Sequence, residues 1–242
     1  MIYYTAIRKK ALKAYFLPFY DPVLLYTRRI TRKRPHVGGK NMEMDKKVMM
    51  SEVGGAFIVS WLILVNGAMP GESAGMIMAG LVLAAAMTAM AGAHILPMFT
   101  WMTIMTGDLS DQDNWMSNGM RLIAQVVGAI LAILMMTEMG EIDTGYAAGD
   151  MVEFDAWPMI TMVAAGAIVG AVHSRCEAWM TALVVVMAAG SLGMGVAGAH
   201  DMASCVMGDS GNITNALSTW IVDGALVGLG AMVGMKIDEA IE

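Results

Sequence analysis

Charge is scarce in this chain. Of 242 residues only 15% are charged, 57% are hydrophobic, and the mean hydropathy is +0.59. A soluble domain of this length would carry more charge, so the composition points to an integral membrane protein. Cysteine is nearly missing, with Cys176 and Cys205 in separate connecting segments that the expected topology puts on opposite membrane faces. That excludes a paired-cysteine metal signature and argues against a disulfide. The usual catalytic constellations are missing too. There is no nucleophile with a paired base, no phosphate-cradling glycine loop and no metal-hydrolase motif, so an enzyme is not expected.

What positive charge there is gathers at the front. Residues 1–47 hold twelve of the fifteen Lys and Arg against Asp21, Glu43 and Asp45, a net +9, with −15 left for the rest. A basic segment directly before a first span stays on the cytoplasmic side. It is too long, polar and aromatic for a cleaved signal peptide. Tyr3, Tyr4, Tyr15, Phe16, Phe19 and Tyr20 precede the run Arg28-Arg29-Ile30-Thr31-Arg32-Lys33-Arg34. Such a segment suits a bilayer surface, with rings at the headgroups and cations near anionic lipid. Beside a membrane domain, nucleic acid is not the expected partner. The 28 methionines read as flexible packing filler among helices, with a sulfur-lined path as the sharper alternative.

One short stretch occurs twice. Ala91-Gly92-Ala93-His94-Ile95-Leu96-Pro97-Met98 is matched about a hundred residues later by Ala197-Gly198-Ala199-His200-Asp201-Met202-Ala203-Ser204. Each copy follows a membrane-length apolar run and precedes a segment too short to cross alone. Paired interruptions at matching places in two halves point to an inverted repeat with its site near the midplane. Full spans are expected at about 49–69, 73–91, 115–136, 157–172, 178–196 and 216–236, each near the 20 residues a bilayer needs. Pro97 opens one half-span, ending near Thr106-Gly107, and a second fades by Gly208. Asp108 to Asn114 supplies caps for the next helix. Three spans separate the two loops, so they enter from opposite faces. The expectation is a basic extension over 1–47 and a membrane domain over 48–237, with half-repeats at about 48–137 and 156–237.

These residues resemble the aquaporin and aquaglyceroporin family (major intrinsic proteins). Gly92-Ala93-His94-Ile95-Leu96-Pro97-Met98-Phe99-Thr100 is similar to the family's first loop, Gly-Ala-His-x-Asn-Pro-Ala-Val-Thr. Thr106-Gly107-Asp108-Leu109-Ser110 resembles the end of its first half-helix. Arg121 to Ala129 resembles its third span, including an Ala-Gln-x-x-Gly-Ala core. Ser51-Glu52-Val53-Gly54-Gly55-Ala56-Phe57 is similar to the start of its first span, where a glutamate braces a loop. The resemblance covers about 50–236 and is weaker in the second half, where Glu52 has no clear counterpart. It implies an all-α bundle of six transmembrane helices with two re-entrant half-helices, a homotetramer in the plasma membrane, and no cofactor.

Departures from the family are as informative. Its two Asn-Pro-Ala triplets fall on Leu96-Pro97-Met98 and Met202-Ala203-Ser204, so both capping asparagines are gone. A lost cap costs on the order of 1 kcal/mol. The family's selectivity arginine falls on Cys205, and its other constriction positions on Met76, Gly190 and Ala199. Such a ring holds no fixed charge, which suits passive diffusion of a small neutral solute (a polyol, urea, ammonia or an undissociated acid) over strict water selectivity.

Three residues at the loop mouths each carry two readings. The rings of His94 and His200 either bond loop backbone or line the passage and respond to pH. Asp201 either caps a half-helix starting at Met202 or makes a cation site, with Cys205 four residues on and His200 and Met202 adjacent. Glu52 reads as a buried acceptor for loop backbone, while Asp223 faces the bundle or another subunit. Two rival functions follow. One is a closed structural relic of the channel fold, the other a cation or soft-metal channel using Asp201 and Cys205.

Overall fold

Every regular element among the described residues is helical. The computed structural model describes residues 46–66, 73–139, 148–192 and 198–241, all within the unit Met44–Glu242. The expectations for the basic extension, the Pro70-Gly71 turn and residues 140–147 of the acidic connection lie outside the described residues. The helices are α1 (Lys46–Asn66), α2 (Ser73–Ala89), α3 (Pro97–Thr106), α4 (Gln112–Met139), α5 (Ala156–Arg175), α6 (Ala178–Leu192), α7 (Ala199–Gly208) and α8 (Ile213–Ile241).

Local chemistry sets most of these boundaries. Pro97 takes the first position of α3 after an extended Leu96, and Gly107 ends the helix by donating to the carbonyls of Thr103 and Ile104. Asp111 accepts from the Asp113 amide at the start of α4, and Asp155 accepts from the Trp157 amide at the start of α5. Such caps satisfy amides that have no partner inside the helix.

Three helical stretches are long and apolar enough to cross a membrane: Gln112–Met136, Ala156–Arg175 and Ser210–Ile241. Helix α2 ends at Ala89, two residues short of the second expected span, and α6 is described to Leu192, the rest of the fifth expected span lying outside the described residues. The protein is thus all-helical, with three candidate membrane-spanning helices among the described residues.

Packing follows a pattern that repeats. In the first half α1 lies along α4, and in the second α5 lies along α8. Half-length α3 packs on α8 of the other half, while half-length α7 packs on α4 of the first. The remaining large contact joins α2 to α6. Glycine makes the long pairs close. An added Cβ on Gly128 would strike the Val53 carbonyl, and one on Gly230 or Gly234 would strike the carbonyls of Val163 or Ala167. Small residues let helix backbones touch in this way. The largest apolar cluster joins α1, α2, α3, α5, α6 and α8 through residues such as Val59, Leu83, Met98, Val185, Val169 and Val227.

Candidate functional site

The first loop is held by one carboxylate. Glu52 on α1 is fully buried. Its Oε1 accepts from the His94 amide at 2.7 Å and from Arg121 Nη1 at 2.6 Å. Its Oε2 accepts from the Ile95 amide at 2.8 Å and from Gln125 Nε2 at 2.8 Å. A buried carboxylate is tolerated when it is paired and fully hydrogen-bonded. The grip explains the backbone beside it. Ile95 has φ +67°, a left-handed conformation costly for a β-branched residue. Ile95 fits there because Gly55 on α1 has no side chain; a Cβ at that position would lie 2.7 Å from Ile95 Cγ1.

A directed chain of hydrogen bonds continues from this hub. Gln125 Nε2 also donates to Thr100 Oγ1 at 3.0 Å. Thr100 Oγ1 lies 3.1 Å from His94 Nδ1, and Thr103 Oγ1 lies 3.3 Å from His94 Nε2. The Thr103 hydroxyl already donates to the Phe99 carbonyl at 2.9 Å. Nε2 must therefore carry the proton that Thr103 accepts, leaving Nδ1 to accept from Thr100. The geometry fits a neutral Nε2–H tautomer, assigned from the bonding pattern. The His94 ring thus bonds hydroxyls on α3, whereas the sequence reading offered loop backbone as its partner.

The second loop is built differently. Helix α7 begins at Ala199 after an extended Gly198, not at Met202, and no side chain caps it. Asp201 is accordingly no cap; it sits in the first turn, where its negative charge suits the helix dipole. Its Oδ1 lies 3.0 Å from His200 Nε2, with both side chains half-exposed. The physical reason for the earlier start is plain. Pro97 and left-handed Ile95 stop α3 from growing upstream, and nothing equivalent lies between Gly198 and Met202. Among the described residues, no buried carboxylate other than Glu52 exists to brace this second N-terminus.

The remaining site positions separate into groups. Pro97 and Met98 are buried and Leu96 half-buried, the latter two in the large apolar cluster. Ala199 and Ala203 pack on Ala129 and Ile133 of α4. Met202 and Cys205 pack with Ala216 of α8, beside Val126, Ala148 and Trp220. Ser204 is buried, while Gly190 is exposed near the end of α6. Met76 lies in α2, with its side chain outside the described residues. Ala199 and Cys205 therefore turn to different neighbours on α7. Cys205 Sγ donates to the Asp209 carbonyl at 3.5 Å and does not meet Asp201. Among the described residues no three His, Cys, Asp or Glu converge as a metal site would require.

Arg121 is the side chain at this hub that sequence reasoning passed over. A signal was present, since it is the one Lys or Arg between Lys47 and Arg175. A lone cation in an apolar span implies a buried partner. Comparison with protein-family models, curated proteins and solved structures returned no match, so a functional reading rests on the chain's own residues and contacts.

Proposed function

We propose that this protein is an aquaporin-like channel for passive diffusion of a small neutral solute. In this reading α1, α2, α4, α5, α6 and α8 are six spans, and α3 and α7 are re-entrant half-helices meeting near the midplane. The N-terminal extension is cytoplasmic, the assembly is a homotetramer in the plasma membrane, and the basic segment meets anionic lipid. The observation that carries the reading is the crossed packing of the two half-length helices, α3 on α8 and α7 on α4. Non-helical backbone inside a bilayer must be shielded by protein, and Glu52 supplies that service to His94 and Ile95. The half-helix N-termini oppose cations. The absence of an arginine at Cys205 favours less polar solutes over a strict water filter.

A second reading has its own support. Met98, Met202 and Cys205 are all buried, as expected for a closed relic whose midpoint is filled by side chains. Stopped-flow measurements on purified protein in liposomes separate the two, with water, glycerol, urea and ammonia as solutes. Flux of at least one solute above that of empty vesicles supports the channel. Equal rates for all four leave the closed relic as the function. A cation flux that Asp201→Asn abolishes, with neutral-solute flux barely changed, would instead identify a cation pathway.

A further inference from the structure

Residues 148–154, the described part of the connection before α5, meet the second half-helix at Ala148. Ala148 packs against the cluster of Met202, Cys205 and Ala216. Its amide donates to Asp209 Oδ2 at 3.0 Å. The other oxygen, Oδ1, accepts from Asn212 Nδ2 at 2.9 Å, and the Asp209 carbonyl accepts from Cys205 Sγ. Asp209 is also the C-cap of α7. One residue thus ends the half-helix, orders the turn Ser210–Asn212 and holds the connecting segment down.

From Gly149 to Phe154 the chain has no helix, and only Val152 is even partly buried. Among the described residues no other hydrogen bond ties 148–154 to the rest of the protein. Gly149 follows directly, with open space where a side chain would be. Stretches with few buried contacts and few hydrogen bonds open at low free energy. Cys205, which Ala148 helps to cover, is by contrast fully buried.

The geometry points to Asp209 as a latch: its carboxylate pins the start of residues 148–154 over Met202 and Cys205, and release of Ala148 exposes this face of α7 to water. That the face belongs to a solute passage rests on the channel reading; the latch itself rests on the contacts alone.

The test reads the rate at which N-ethylmaleimide modifies Cys205 in the purified full-length protein, measured by peptide mass spectrometry. Cys176, half-buried at the end of α5, is the internal reference. Asp209→Ala removes the acceptor, and Ala148→Pro removes the donor while leaving Asp209 and its bond to Asn212 intact. Each variant should raise the Cys205 rate about tenfold, the scale of one hydrogen bond to a charged group, with Cys176 unchanged. Combining them should add nothing further, because both break the same contact. Asp209→Ala also removes a negative charge beside the thiol, which Ala148→Pro does not. If Asp209→Ala fails to fold, Ala148→Pro alone decides. An unchanged Cys205 rate in Ala148→Pro, or a parallel rise at Cys176, overturns the latch. The same variants in liposomes separate the two ideas. Faster solute flux on release supports both, whereas an exposed Cys205 with no flux in any form sinks the channel and leaves the latch standing.

Discussion

Glu52→Gln keeps the size of the bracing side chain and removes its charge. Four donors converge on the two carboxylate oxygens: the amides of His94 and Ile95, Arg121 Nη1 and Gln125 Nε2. An amide offers one oxygen, so two of the four donors would face an NH2 group. Hydrogen bonds to a charged group contribute about 1.5–3 kcal/mol each, so losing two removes about 3–6 kcal/mol. Two effects pull the figure down. The Arg121 side chain is 19% exposed, so water can take over part of the lost pairing. Freed from the carboxylate, Ile95 can also relax from φ +67°, returning about 1 kcal/mol of strain. The net loss should be about 3 kcal/mol, near the low end of the bond count. At roughly 2–4 °C per kcal/mol for a domain this size, the unfolding midpoint should fall by about 6–12 °C. Tryptophan fluorescence on heating the protein in micelles would measure it. Adding Arg121→Met should recover part of the loss, because the stranded cation goes with it. A drop under about 2 °C, or no recovery in the double variant, would refute the assignment of Glu52 as the brace.

The other expectations concern packing and one ion pair. Gly55→Ala would set a methyl 2.7 Å from Ile95 Cγ1 and should cost about 1–3 kcal/mol by overpacking. Pairing it with Ile95→Ala should return most of that, and strict additivity in thermal unfolding would count against direct contact. Gly230→Val would drive a side chain into the Val163 carbonyl where α5 and α8 touch. It should abolish a monodisperse peak on size-exclusion chromatography, and a wild-type profile would contradict the close crossing. Asp238→Asn breaks the pair with Arg175 near the end of α5, where both side chains are partly exposed. Solvent screening keeps such pairs below about 1 kcal/mol, so the midpoint should move by less than about 4 °C.

Much of the helical outline was legible because apolar runs and breakers act locally. Pro97 opens α3 and Gly107 closes it, as the sequence suggested, and of the several caps it offered over Asp108 to Asn114 the structure uses Asp111. The weaker second half shows where local reading fails. There the two Gly-Ala-His copies look alike, yet His94 lies before its half-helix and His200 lies inside α7. The difference comes from Pro97 and the backbone of Ile95, a conformation that residue type would have argued against. Glu52 was identifiable as a loop brace, but its full set of donors was not. Arg121 and Gln125 lie 69 and 73 residues away along the chain, and no local pattern encodes that meeting. Likewise Cys205 reads as a filter position, while its actual neighbours, Ala216, Val126 and Ala148, come from three other segments.

By itself the sequence pointed to a membrane class, since so apolar a chain carries so little charge, and three helices long and apolar enough to cross a membrane are compatible with it. It also determined where several helices start and stop, α7 excepted, because capping and proline geometry act over a few residues. Only the tertiary structure decided that α3 crosses to α8 and α7 to α4. It alone decided that one buried carboxylate gathers four donors, and that Asp209 takes hold of Ala148. Those choices depend on which backbones can approach closely enough to touch and on finding partners for buried polar groups such as Glu52, and both conditions are set by distant parts of the chain at once.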